Sequence, residues 1–155
     1  MQKELASKGF TLVELVAVIL ILGIVSTVVL PRFSSRDAFS GYALRDEIIS
    51  SYRLIQQRAM YDNEPGVCYR LVIDSNGIRP QKNSANYGNL GHVTLDGDYA
   101  GLSVTVQTIY FDGLGNAYTD DCTPGSTSVA TPLTLTVLPQ GLEIEIYPTG
   151  YIKAS

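Results

Sequence analysis

The sequence predicts an α+β fold in which one long N-terminal helix packs against an antiparallel β-sheet, and three observations point to it. An uncharged apolar run, Leu15–Leu30 (LVAVILILGIVSTVVL), follows a short polar start. Beyond Pro31, apolar and small side chains recur at spacings of three and four, the period of a helix that buries one stripe. From Val67 the period falls to two and turn-forming residues separate the runs, as in half-buried strands joined by short hairpins.

At 155 residues the chain has room for one compact domain and a tail, but not for two cores of ordinary size. Its charge is uneven. From Asp62 onward four basic residues (Arg70, Arg79, Lys82, Lys153) stand against ten acidic ones, a net of about −6. Such a surface repels phosphate backbones, so no nucleic-acid partner is expected.

The first element breaks the usual order of a secretory signal, in which an apolar core precedes the cleavage site. Here MQKELASKG is polar, carries Lys3 and Lys8, and ends at Gly9, and the apolar run comes after it. Phe10 to Leu30 is 21 residues, about 31 Å of helix, which matches the hydrocarbon thickness of a bilayer. A single membrane span with the lysines on the cytoplasmic side follows. The competing reading, a core helix of a soluble protein, does not suit a surface that is apolar all round.

Glu14 interrupts that run, and a charge in a spanning helix costs about 2.5–3.5 kcal/mol near the bilayer centre and less near its edge. Two readings stay open for it: a paired carboxylate, and one that reaches the headgroups or is protonated. Pro31 lacks an amide donor and clashes with the carbonyl four residues back, while Gly23 lowers helix propensity, so the helix is weakened between them.

The second part of the helix, residues 31–61, places Gly41, Leu44, Ile48, Tyr52, Ile55 and Ala59 on one stripe, with Asp46, Glu47, Arg53 and Arg58 away from it. Asp62-Asn63-Glu64-Pro65-Gly66 supplies the stop. Strands are expected at 67–73, 102–112, 133–138, 142–147 and 151–153, with turns at Asp112-Gly113, Pro139-Gln140-Gly141 and Pro148-Thr149-Gly150. Residues 74–101, rich in Asn, Gly, Asp and Ser, read as an irregular loop with one short strand at 92–95.

Cys68 and Cys122 lack CxxC spacing, and the lone His92 does not complete a usual zinc set. They are either a disulfide, if the domain is exported, or two buried free thiols.

The segment KGFTLVELVAVILILGIVSTVVLP resembles the leader junction and first helix of the type IV pilin and pseudopilin superfamily. The resemblance implies a leader peptide over 1–9, a transmembrane and assembly helix over 10–30, its amphipathic continuation over 31–61 and a β-sheet head over 62–155. It implies that a prepilin peptidase cuts between Gly9 and Phe10 and methylates the new amino group of Phe10. Glu14 would pair with the amine of a neighbouring subunit, and the stretch between Gly23 and Pro31 would bend or melt on entry into the fibre. The partners so implied are other pilin subunits, the prepilin peptidase, the inner-membrane assembly platform and the membrane itself. The location implied is a single pass of the inner membrane with the head in the periplasm, then the fibre at the cell surface.

The head sequences IYFDGLGNAY and PTGYIKAS resemble the H-type minor pseudopilins and the minor pilins that share their head. With RDAFSGYALRDEIISSYRLIQQRAM, the layout is most similar to the C-type minor pilins of the mannose-sensitive haemagglutinin pilus. A minor pilus subunit is the function this implies, with a type II secretion pseudopilin as the alternative and a DNA-uptake minor pilin behind it.

Catalytic chemistry has no foothold in the sequence. Asp96-Gly97-Asp98, Asp112 and Asp120-Asp121 lack the EF-hand pattern and read as solvated turn residues. FDGLGN has no phosphate-loop or Rossmann context, and no GxSxG element occurs beside the single histidine. Neither an enzyme nor a metal or cofactor site is expected.

Overall fold

The computed structural model describes residues 10–29, 36–62, 66–121, 128–129 and 132–155. Among these, two helices precede ten strands: α1 spans Leu12–Val29 and α2 spans Arg36–Tyr61. The chain divides into two compact units, one ending at Asp37 and the other running from Ala38 to Ser155.

Within the second unit, α2 buries the stripe that its spacing predicts. Leu44, Ile48, Tyr52 and Ile55 are wholly buried, with Ala59 nearly so and Gly41 also inside. The helix has one further buried position, Ser51, whose hydroxyl donates to the carbonyl of Gly91 at 2.7 Å. That bond satisfies a polar group that would otherwise be costly to bury.

The head is antiparallel throughout, as expected, and its strands form two sheets. The first sheet has the order β3-β2-β1-β6-β7, with β4 also paired to β2. Its strands are β1 Tyr69–Asp74, β2 Gly77–Lys82, β3 Ala85–Asn86, β4 Val93–Thr94, β6 Gln107–Phe111 and β7 Ala117–Tyr118. The second has the order β10-β9-β8-β5, with β5 Ser103–Val104, β8 Leu133–Leu138, β9 Leu142–Ile146 and β10 Ile152–Ala154. Alternate residues of both sheets (Tyr69, Leu71 and Ile73; Ile109 and Phe111; Leu135 and Val137; Ile144 and Ile146) join the α2 stripe in one apolar cluster. Tyr52 and Phe111 meet edge to face there, with ring centroids 4.9 Å apart, a favoured aromatic geometry.

Two strand expectations need correction. Residues 102–112 do not form one strand: β5 pairs with β8 in one sheet, β6 pairs with β1 in the other, and the chain crosses between them at Thr105-Val106. Residues 77–82, expected as loop, form β2, paired along its whole length with β1. Pro80 is tolerated in this strand because its carbonyl points away from β1 and accepts from the Tyr87 amide at 2.8 Å. In an antiparallel strand the N–H and C=O of one residue face the same side, so the donor that proline lacks is not needed by the β1 ladder.

The short strand expected at 92–95 is present as β4. It passes so close to Gly77 (φ 138°) that a Cβ there would fall inside contact distance of the Val93 carbonyl. Only glycine closes the β1–β2 hairpin beside β4.

Candidate assembly segment and the polar clamp of the head

α1 begins where Thr11 caps it: the amide of Glu14 donates to the Thr11 hydroxyl at 3.3 Å and to the Thr11 carbonyl at 3.1 Å. Thr11-Leu12-Val13-Glu14 thus has the spacing of a capping box, and Glu14 lies in the first turn of the helix. A carboxylate there is favoured by the positive end of the helix dipole. Sequence reasoning weighed Glu14 as a charge in an apolar run and as a partner for a neighbouring amine, and missed the Thr-x-x-Glu spacing that gives it a local role and was legible.

Every side chain described from Phe10 to Val25 is exposed, Phe10 at 82% and Ile24 still at 61%. A patch of this extent is not the surface of a water-soluble monomer. It requires lipid or other apolar helices around it. Among the described residues no helix is long and apolar enough to cross a membrane. α1 itself, 18 residues long, gives about 27 Å, just under the ~30 Å hydrocarbon core, and Leu30 of the expected span lies outside the described residues.

Gly23 sits inside α1 with nothing within 4 Å of the position its Cβ would take, so no close packing in this structure demands a glycine. Gly9 and the leader 1–9, Pro31 and Cys122 lie outside the described residues. Cys68, immediately before β1, is disulfide-bonded.

In the head, Gln56, which sequence reading passed over, forms a polar clamp together with Tyr52. Gln56, half-buried on α2, donates through Nε2 to the carbonyls of Gly115 (2.8 Å) and Gly150 (2.9 Å). Tyr52 also donates to the Gly150 carbonyl, at 3.2 Å, and burial pushes its phenol well above the ordinary range. One helix turn therefore fixes the β6–β7 turn and the β9–β10 turn together, one from each sheet.

The first of these turns is organised by Asp112. Its carboxylate accepts from the amides of Leu114 and Asn116, the Asn116 side chain and the Tyr118 hydroxyl, at 2.8–3.0 Å. Burial alone would raise this carboxyl, but those hydrogen bonds outweigh it and hold it below the usual carboxylate range. On β1, Asp74 is likewise lowered: burial acts upward, and the bonds from Arg79 and Asn76 overcome it. These are structural carboxylates, fully engaged in turns. Among the described residues no group of three metal-ligating side chains converges.

Residues 5–30 match the prokaryotic N-terminal methylation motif. No curated protein and no solved structure matched the chain. The motif is that of type IV pilin and pseudopilin precursors and indicates a precursor of that pilin-like kind. It implies a membrane-anchored precursor, a prepilin peptidase that acts on it, and assembly with other pilins. Proteins that carry this motif are structural, not catalytic. The α+β head, a helix packed on antiparallel sheet, is consistent with a pilin-like fold.

Proposed function

We propose that this chain is a minor subunit of a type IV pilus, held in the inner membrane by one pass with its head in the periplasm, cut after Gly9, and assembled into the surface fibre through residues 10–30. The observation that carries the proposal is the methylation motif, which takes in a helix whose described side chains, Glu14 apart, are apolar and exposed on every side. In this reading Phe10 supplies the new, methylated amino group, and Glu14 receives the corresponding amine of a neighbouring subunit at the assembly platform. The exposure of both residues at the start of α1 supports that pairing. Gly23 and Pro31 bracket the segment that yields as the subunit enters the fibre.

Cys68 pairs with Cys122, the only other cysteine of the chain, and stitches a head loop to the first strand. A closure of that length is worth about 4 kcal/mol in the chain-entropy account. The placement among minor pilins, near the C-type subunits and the H-type heads, rests on the head sequences alone.

The test is a strain lacking this chain, scored for surface pili and for secreted protein. Loss or shortening of pili with normal secretion is the expected result. Intact pili with secretion lost assigns the chain to a type II secretion pseudopilus instead, and DNA uptake as the only defect would assign it to a DNA-capturing fibre.

A further inference from the structure

One groove on the head sets five side chains with hydrogen-bond donors (Arg58, Lys82, Asn83, Asn86 and Tyr87) around a largely apolar floor. It lies between α2 and the β2–β3 hairpin, encloses about 570 Å³, and is bordered by Arg58, Lys82, Asn83, Asn86, Tyr87 and Leu90. No carboxylate among the described residues lines it, although the chain from Asp62 onward carries ten acidic residues against four basic ones. Asn83 accepts through Oδ1 from the Cys68 amide (2.8 Å), and Asn86 accepts through Oδ1 from Gln81 (3.1 Å). Each is thereby left with its NH₂ group as a donor.

The groove is also pre-built. The Arg58 guanidinium is stacked over the Tyr87 ring, 5.6 Å from its centroid, and makes no ion pair among the described residues. Lys82 is shared with Asp62 at 3.9 Å, so among the described residues lining the groove the guanidinium is the cation without an ion pair. The far wall is pinned: Tyr87 bonds back to Pro80, and the loop before β4 is held to α2 by the Ser51–Gly91 bond. Asn83 and Ser84 hold the hairpin with φ of 48° and 68°, a left-handed pair that makes a tight two-residue turn. Little ordering remains to be done on binding.

We propose that this groove binds an acidic saccharide, a sugar bearing a carboxylate. The guanidinium fork takes the carboxylate, the two amides donate to hydroxyl and ring oxygens, and Leu90 and the Tyr87 rim cover the apolar face of the sugar ring. A nucleic acid is the wrong ligand for this surface, because one unpaired guanidinium releases few counterions and the acidic remainder of the head repels a polyanion. The proposal holds whichever fibre the subunit enters.

The experiment is calorimetric or NMR titration of the full chain in detergent micelles with 3′-sialyllactose, trigalacturonate, lactose and inorganic phosphate. At least one of the two acidic sugars should bind saturably, with lactose and phosphate each about tenfold weaker or more. Arg58→Gln should lower that affinity by about tenfold, and Arg58→Lys should restore only part of it, since an ammonium has no fork. The exposed Asn86→Ala should weaken binding a few-fold with an unchanged melting temperature, which separates ligand contact from misfolding. Absence of binding by both acidic sugars, equal binding of lactose, phosphate as good as the sugars, or an Arg58→Gln variant that binds like the parent would each overturn the proposal.

Discussion

Single carboxylates carry opposite duties in the two units of this molecule. Glu14 is exposed on an apolar helix and Asp112 is satisfied by four donors in a turn. Because hydrogen bonding lowers the folded-state pKa of Asp112, its contribution is complete above the unfolded value of about 3.9 and disappears as pH falls through the folded value. Replacing Asp112 by Asn should therefore lower stability by about 1–3 kcal/mol at neutral pH, and the gap from the parent should narrow below about pH 4. Urea midpoints measured at pH 7 and pH 3 check this; a gap of equal size at both would show that the charge is irrelevant. Glu14 requires a different readout, because its first-turn position also supports the helix by about 0.3–1 kcal/mol. Glu14→Val should leave leader removal and membrane insertion intact while its share in sheared fibres, relative to the membrane fraction, falls by about tenfold, the equivalent of ~1.4 kcal/mol of lost pairing. Glu14→Gln keeps a capping side chain and loses the charge. Incorporation of the Gln variant at the parent level would assign Glu14 to the helix start and not to pairing between subunits.

Secondary structure elements were legible to the degree that a single face of each is buried. The α2 stripe was read residue by residue because a helix packed on one side leaves an unbroken period, and β8 and β9 alternate cleanly for the same reason. The crossing between β5 and β6 was missed, yet its trace is present: apolar residues stand at even positions through Leu102, Val104 and Val106 and at odd ones in Ile109 and Phe111. A shift of one residue exchanges the two faces of a strand, so that change of phase marks the passage from one sheet to the other. β2 was hidden by Pro80 and by Asn-Gly, although Asn76-Gly77 behind a β-branched run is a hairpin signal. The clamp formed by Gln56 could not be read at all, since it joins residues that only the tertiary fold brings together. Its geometry gives a prediction at this scale. A Cβ on Gly150 would collide with the Gly115 carbonyl and with Gln56, and φ there is 75°. Gly150→Ala should cost about 2–4 kcal/mol from backbone strain and overpacking together. Gly141→Ala, at φ 69° but with open space around it, should cost only the ~1–2 kcal/mol of strain. Equal urea midpoints for the two variants would remove the clamp from the account.

As a whole the chain divides its apolar residues between two solvents. All the buried hydrophobic residues among those described lie from Leu44 onward, in one cluster shared by α2 and both sheets. Those described from Phe10 to Val25 are exposed without exception. The core that stabilises the head thus draws nothing from the described side chains of the first unit, and a head of this size buries enough surface to fold by itself. A chain beginning at Ser34 should accordingly be a soluble monomer that unfolds in one cooperative transition, with a melting temperature within about 5 °C of the full chain in detergent, a difference of ~1 kcal/mol at most. The full chain should need detergent or lipid to stay monodisperse, because its α1 surface exceeds what a soluble monomer exposes. Circular dichroism through the melt, together with size-exclusion chromatography, measures both properties. A truncated chain that melts without cooperativity, or that binds hydrophobic dyes like a molten globule, would mean that the head depends on the first unit, and subunits could then not exchange the lipid around α1 for neighbouring helices while the head stays intact.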